Sequence, residues 1–524
     1  MENAVKFLSA ILLLFTMVLC SPICFAVVKL PAIISDNMVM QQDSKVRIWG
    51  WADADEKVAV SILKQKKTVI AGKDGKWQVI LSPMKFTSPT EMTIQGKNTI
   101  VIHNTIAGEV WLASGQSNMH WPLSASLNGE QEVREANYSD IRYFSVPPLP
   151  ADLPVDDCNG RWVVCRPDTA GGFSAVAYFF GRYLYKELGR PVGMIGAPYG
   201  GSFIEAWMSD ESLKTTCDYS AIMARYKQDA EKLKQFTQKF QEETEQWKKD
   251  VQIAKQNGQP VPPEPQMPDT AIAIPRNCPS RLFNAMINPL VPYTIKGAIW
   301  YQGESNTLAG RSAQYSRLFP AMLNDWRTRW GYDFPFYSVQ LTSFAQNYWQ
   351  PDDSNNPDWA ELRDVQLKMA TLKNSGMAVT VDTGESNNIH PLNKQDVGKR
   401  LALIALAKTY NKSLMYSGPV YDSMNINGNK IILAFKDVDK GLAMKGEKLE
   451  EFVICGNDLK FVTARAVIID RNHIEAYSEK IEKPVAVRYG WRRCPINCNL
   501  YNSAGLPASP FRTDNQPYLS DKNK

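Results

Sequence analysis

Histidine is scarce in this chain, with 4 in 524 residues. No cysteine or histidine spacing resembles a zinc site, so neither a metal nor another cofactor is expected. Long apolar runs are almost missing too. Phe7 to Leu19 spans about 13 residues, short of the ~20 that cross a bilayer. With Lys6 before it and Cys24-Phe25-Ala26 after it, residues 1–26 read as a signal peptide cut after Ala26. The mature chain is therefore expected to be secreted or periplasmic, with no stable membrane insertion. Charge of one sign is lacking as well: the net value is +5 and Lys and Glu are interspersed. That pattern gives no nucleic-acid surface. Cysteine is limited to 9 residues. In an exported chain the close pairs Cys158/Cys165 and Cys494/Cys498 are expected to form disulfides.

What is present falls into blocks. Residues 27–105 carry short alternating runs, such as Lys45 to Trp51 and Val58 to Ile62, separated by turn residues. They predict an N-terminal β-sandwich. Residues 106–412 alternate strand-like and helix-like segments, which predicts an α/β domain with a doubly wound parallel sheet. Its strands are read at Arg190–Gly196, Gly297–Tyr301, Phe336–Leu341 and Met377–Val381. Helices are read at Ala175–Leu188 and Ala313–Arg329, the second broken at Pro320. Residues 219–268 interrupt the alternation with a long charged helix and a Pro-rich stop, a helical insertion. Residues 413–490 return to β character, and 491–524 read as a tail.

Within the α/β block, Glu109-Val110-Trp111-Leu112-Ala113-Ser114 is an apolar strand, broken by Gly115-Gln116-Ser117-Asn118. A serine in a turn at the carboxyl end of such a strand faces the crevice where α/β sheets bind ligands. Ser117 is thus a candidate nucleophile; a helix-capping serine would leave the same local pattern. Of the four histidines, His390 follows a predicted strand and a polar loop, the place from which a base reaches a neighbouring strand's nucleophile. Two more Gly-bearing turns end strands, at Tyr199-Gly200-Gly201-Ser202 and Tyr301-Gln302-Gly303-Glu304-Ser305-Asn306. They are candidates to supply donors for a developing oxyanion.

The segments GEVWLASGQSNM, APYGGSFIEAW, WYQGESN and NIHPLNKQDVGKRLA resemble the sialate O-acetylesterase family, a branch of the SGNH (GDSL-like) hydrolases. The likeness extends to VKLPAIISDNMVMQQ and to the C-terminal NLYNSAGLPASPFRTD. It implies an SGNH-type flavodoxin-like domain flanked by β domains, and a serine-dependent esterase acting without a metal. The implied nucleophile is Ser117 and the implied base His390. The implied oxyanion hole is the Ser117 N–H, Gly201 and the Gln302 amide. The family usually places an aspartate two residues before the histidine; here Asn388 stands there, with Asp382, Glu385 or a main-chain carbonyl as other groups to orient the ring. For the substrate, an O-acetylated sialic acid or another acetylated sugar, Arg363 is the candidate carboxylate fork and Trp207 a candidate sugar platform. An acetyl xylan esterase, or a non-catalytic carbohydrate-binding protein left by loss of the acid, are the other readings.

Overall fold

The computed structural model describes residues 27–523, except 87, 269–273, 276 and 346–357. The segment read as a signal peptide lies outside the described residues. The main path of an 11-stranded sheet runs through seven strands: β1 (Thr99–Gly115), β2 (Tyr138–Ser145), β3 (Trp162–Cys165), β4 (Val192–Pro198), β5 (Gly297–Tyr301), β6 (Phe336–Val339) and β7 (Ser375–Ala378). They lie in the order β7-β6-β5-β1-β4-β2-β3. Every pair is parallel except β2 with β3 at the edge.

Strand periodicity sorts the two faces. Val110, Leu112, Ala298 and Trp300 join one core, and Trp111, Ala113, Ile299 and Tyr301 join the other. Helix α1 (Ser117–His120) follows β1. Helices α2 (Ala175–Leu188) and α6 (Lys394–Lys408) cover the second face. The first face is covered by α4 (Ser312–Trp330) and α5 (Asp358–Met369). The result is the expected SGNH-type doubly wound architecture. Both neighbours of β1 are parallel strands, and helices lie on opposite faces beyond them, so the crevice at its carboxyl end is a topological switch point.

Several boundaries differ from the sequence reading. β1 runs through residue 105 without interruption. Its first half pairs with Thr90–Gln95 of the N-terminal β region, and its second half with β4 and β5. Helix α4 is continuous through Pro320, because Leu318, Phe319, Met322 and Leu323 are buried on both sides of it. The charged insertion is one helix, α3 (Tyr219–Gln256). Its Trp247 Nε1 donates to the Pro262 carbonyl at 2.9 Å, which turns the Pro-rich segment back along the helix.

Residues 491–524 are not a tail. Phe511–Arg512 pairs with Ala486–Tyr489, and Leu500–Asn502 pairs with Leu442–Met444. Burial of Leu500, Tyr501, Ala508 and Phe511 holds this segment in the C-terminal core. Among the described residues neither expected disulfide forms. Cys158 packs in the core on one side of the sheet and Cys165 in the core on the other, so the strand β3 itself separates them. Among the described residues, no helix is long and apolar enough to cross a membrane.

Candidate active site

β1 ends in a turn that only glycine can make. Gly115 has φ of 132°, and a Cβ there would sit 2.2 Å from the Tyr301 carbonyl oxygen. The turn is pinned on both sides: Gln116 N donates to Tyr301 O at 2.8 Å, and Tyr199 N to Gly115 O at 2.9 Å. Ser117 follows as the first residue of α1. His390 arrives from the loop after β7, and its Nε2 lies 2.8 Å from Ser117 Oγ. The two are 273 residues apart in sequence.

A cavity of about 660 Å³ opens over this pair, lined by Gln116, Gly200, Gly201, Trp359 and Arg493 among others. The Ser117, Gly200 and Gly201 amides donate no hydrogen bond among the described residues. Gly201 has φ of 68°, and a Cβ on Gly200 would stand 3.5 Å from that of Ser117, so this backbone passes close to the nucleophile. Three N–H groups at the N-terminus of a helix and in a glycine turn are suited to hold an oxyanion.

The loop behind His390 departs from a triad. Asn388 Oδ1 accepts from the His390 main-chain N at 2.9 Å, and its Nδ2 donates to Glu385 Oε2 at 3.1 Å. Glu385 Oε1 in turn accepts from Leu392 N at 2.7 Å. Asn388 therefore shapes the loop and does not touch the ring. Asp382 is engaged elsewhere, paired with Arg400 at 2.6 Å and accepting from Tyr501 at 3.1 Å. No group among the described residues accepts a hydrogen bond from Nδ1. The ring is held instead by Trp121, stacked on it at 5.0 Å between centroids and 22° between planes. Burial, then the positive charge of Lys394, lowers the His390 pKa below its ordinary value.

Three other residues read from sequence lie outside the cavity wall. Gln302 is wholly buried, and its Nε2 is spent on Ser202 O at 3.0 Å and Asn306 Oδ1 at 2.7 Å. With both N–H groups engaged it has no donor left for an oxyanion. Arg363 is 0% exposed and donates to the carbonyls of Leu341, Thr342, Arg492 and Arg493. It binds backbone, not a substrate carboxylate. Trp207 is 0% exposed and packs edge-on against Trp300 at 5.7 Å, so it is a core residue and not a sugar platform.

The structure adds residues that sequence reasoning passed over. Gln116 Oε1 accepts from Gly303 N and Ser305 N at 3.2 and 3.4 Å. Two donors on one atom identify it as the oxygen, and Gln116 is itself a lining residue of the cavity. Behind the nucleophile, Asn118 joins three elements. Its Nδ2 donates to Glu304 Oε1 at 2.5 Å and to Ile389 O at 3.0 Å, and its Oδ1 accepts from Lys394 Nζ at 2.5 Å. Burial pushes Lys394 down to about 7, opposed by Glu304 and Glu385, and raises Glu304. No local pattern marks these residues; only their spacing from Ser117 and His390 in the shared motifs hinted at them.

Residues 276–407 match the model of a family described as carbohydrate esterase, sialic acid-specific acetylesterase. The sialate O-acetylesterase of Rattus norvegicus is 30% identical over 522 residues, covering 91% of this chain and 93% of the relative. The chain belongs to the sialate O-acetylesterase family. The Mus musculus member is 29% identical over 91% of this chain and 93% of its own length. A solved carbohydrate acetylesterase from Xanthomonas citri is 34% identical, covers 94% of this chain and 100% of its own, and superposes with a TM-score of 0.80. This family member is accordingly a carboxylic ester hydrolase with a carbohydrate esterase fold.

Proposed function

We propose that the enzyme removes O-acetyl groups from sialic acids by a serine acyl-enzyme route, with Ser117 as nucleophile and His390 as base. The observation that carries this is the 2.8 Å contact between Ser117 Oγ and His390 Nε2 at the mouth of the cavity. His390 takes the hydroxyl proton as Oγ attacks the acetyl carbonyl. The carbonyl oxygen becomes an oxyanion facing the Ser117 and Gly201 amides, with the Gln116 amide nitrogen as a third donor. As the intermediate collapses, the bond to the sugar oxygen breaks and His390 returns its proton to that oxygen. Water, deprotonated by the same ring, then releases acetate and restores Ser117.

The pair works as a dyad. Among the described residues no carboxylate meets Nδ1, and the Trp121 stack and the Asn388–Glu385 loop set the ring's orientation. The sialic acid substrate is inferred from the family description and from the names of the rodent relatives. The Xanthomonas protein is a carbohydrate acetylesterase, which supports a second reading, acetyl groups on another carbohydrate, of which xylan is the test case. Export through a cleaved signal peptide of residues 1–26 completes the proposal. Acetate release from O-acetylated sialic acid and from acetylated xylan, measured side by side on purified protein, is the test. Turnover of xylan alone would overturn the sialic acid assignment.

A further inference from the structure

Several buried tryptophans of this chain spend the indole N–H inside the protein. Trp162 donates to Ile33 O at 2.8 Å, Trp300 to Tyr315 Oη at 3.0 Å and Trp330 to Tyr293 O at 2.9 Å. Trp49, Trp51 and Trp77 do not: among the described residues none of their three N–H groups has an acceptor. All three line one cavity of about 400 Å³ that the proposed chemistry does not use. Trp49 and Trp77 are buried in its wall, and Trp51 is partly exposed.

The cavity is built across a domain boundary. Trp49 and Trp51 alternate along the strand Val46–Trp51, and so share a face with Gln78 and Lys76, their partners across the antiparallel pair. The other wall comes from Asn288, Pro289, Val291 and Pro292, in the segment that leads into β5. β5 runs parallel to β1, so this wall lies at the amino end of the strands, whereas Ser117 stands beyond their carboxyl end. Gln78 is exposed, and its amide makes no hydrogen bond among the described residues. Asn288, partly exposed, spends Nδ2 on Val155 O at 2.9 Å and keeps Oδ1 as an acceptor. Lys76 and Asp156 close the rim as an exposed pair at 2.8 Å, so the lining carries no net charge.

An aromatic wall with unspent amide groups and no net charge suits a neutral pyranose. The sugar's C–H face packs on an indole while its hydroxyls give and take hydrogen bonds. An anion would have to compete with Asp156 for Lys76, and a purely apolar ligand would gain nothing from Gln78 and Asn288. We infer that this cavity is a second carbohydrate site, holding a neutral pyranose of a glycan chain against Trp51. It gives the N-terminal β region a binding role beyond packing: the chain is retained there while its esters are presented to Ser117. The inference needs only that the enzyme is a carbohydrate esterase, whichever acetylated sugar it cleaves.

The experiment is calorimetric titration of the full chain with two neutral probes, xylohexaose and a linear N-acetyllactosamine oligosaccharide, which stand for the two sources of such a chain. Neither probe carries an ester, so binding is read without hydrolysis. The protein is expected to bind at least one of them, and the probe that binds identifies the source. Trp51→Ala is expected to weaken that binding by roughly 10-fold or more, the scale of losing an aromatic anchor. Gln78→Ala is expected to weaken it by roughly 2–10-fold, the worth of one hydrogen bond. Both variants are expected to keep the wild-type kcat on an aryl acetate, which reports an intact fold and catalytic cavity. No binding of either probe, or equal affinity in Trp51→Ala, would overturn the site. Should Trp51→Ala fail to fold, Gln78→Ala decides, and unchanged affinity in that variant counts against the site. The serine mechanism and the sialic acid reading stand or fall separately, on acetate release.

Discussion

Lys394 Nζ donates to Asn118 Oδ1 at 2.5 Å, joining the helix behind His390 to the turn that carries Ser117. The same asparagine holds Ile389 O and Glu304, so one side chain fixes the spacing of nucleophile and base. Loss of that amide is expected to separate the pair. Asn118→Ala is expected to lower kcat of aryl acetate hydrolysis by roughly 10²-fold, the scale on which a misplaced reacting group costs rate. A kcat within twofold of wild type would remove Asn118 from this role.

The proposed chemistry depends first on the serine and the histidine. Ser117→Ala and His390→Ala are each expected to reduce kcat by roughly 10³-fold or more, with the double variant little worse than either single one. Additive losses in the double variant would show that the two do not act as a unit.

The pH profile carries the sign of the Lys394 charge. His390 works as a base in its neutral form, and burial together with Lys394 keeps its pKa below 6.5. Activity is therefore retained as pH falls and is lost only through that lowered value, so the acid limb of kcat/KM is expected below 6.5. Lys394→Met removes the cation and is expected to move the limb to higher pH. A limb that stays in place, or moves down, contradicts the electrostatic role of Lys394.

Asn388 stands where the family usually has an aspartate, yet Asn388→Asp is not expected to restore a triad. The new carboxylate would face Glu385, which now accepts from Nδ2 at 3.1 Å. Replacing that bond by like charges is expected to cost about 1–3 kcal/mol and to lower Tm and kcat/KM together. Activity above wild type would mean that the new carboxylate reaches Nδ1.

Trp207 tests the distinction between core and site. Trp207→Ala is expected to destabilise the fold by about 3–5 kcal/mol in chemical denaturation. A selective rise in KM at unchanged stability would return it to the sugar site.

Ser117 and His390 were legible in sequence because each ends a predicted strand in a polar turn, and such ends converge at one edge of a parallel sheet. Gln302 and Trp207 were read from the same motifs, and Arg363 from the carboxylate of the implied substrate, but all three are structural. A motif names residues that belong together; it does not say which of them face the cavity. Whether a donor is already spent, as Gln302 Nε2 is on Ser202 O, depends on a segment 100 residues away. The place of Arg493 in the cavity lining was out of reach for the same reason, since a C-terminal segment expected to trail free is folded into the C-terminal core.

The sequence by itself determined the doubly wound core, through alternation that sends Val110 and Leu112 to one face of β1 and Trp111 and Ala113 to the other. It also determined the glycine turn, because φ at Gly115 leaves no room for a side chain. Only the tertiary structure decided how the histidine is supported. Asn388 was free to point at the ring or at the backbone, and its hydrogen bonds to His390 N and Glu385 took the second course. Periodicity and sterics act along the chain and can be read there; the pairing of buried polar groups is settled between segments, where each donor has several acceptors to choose from.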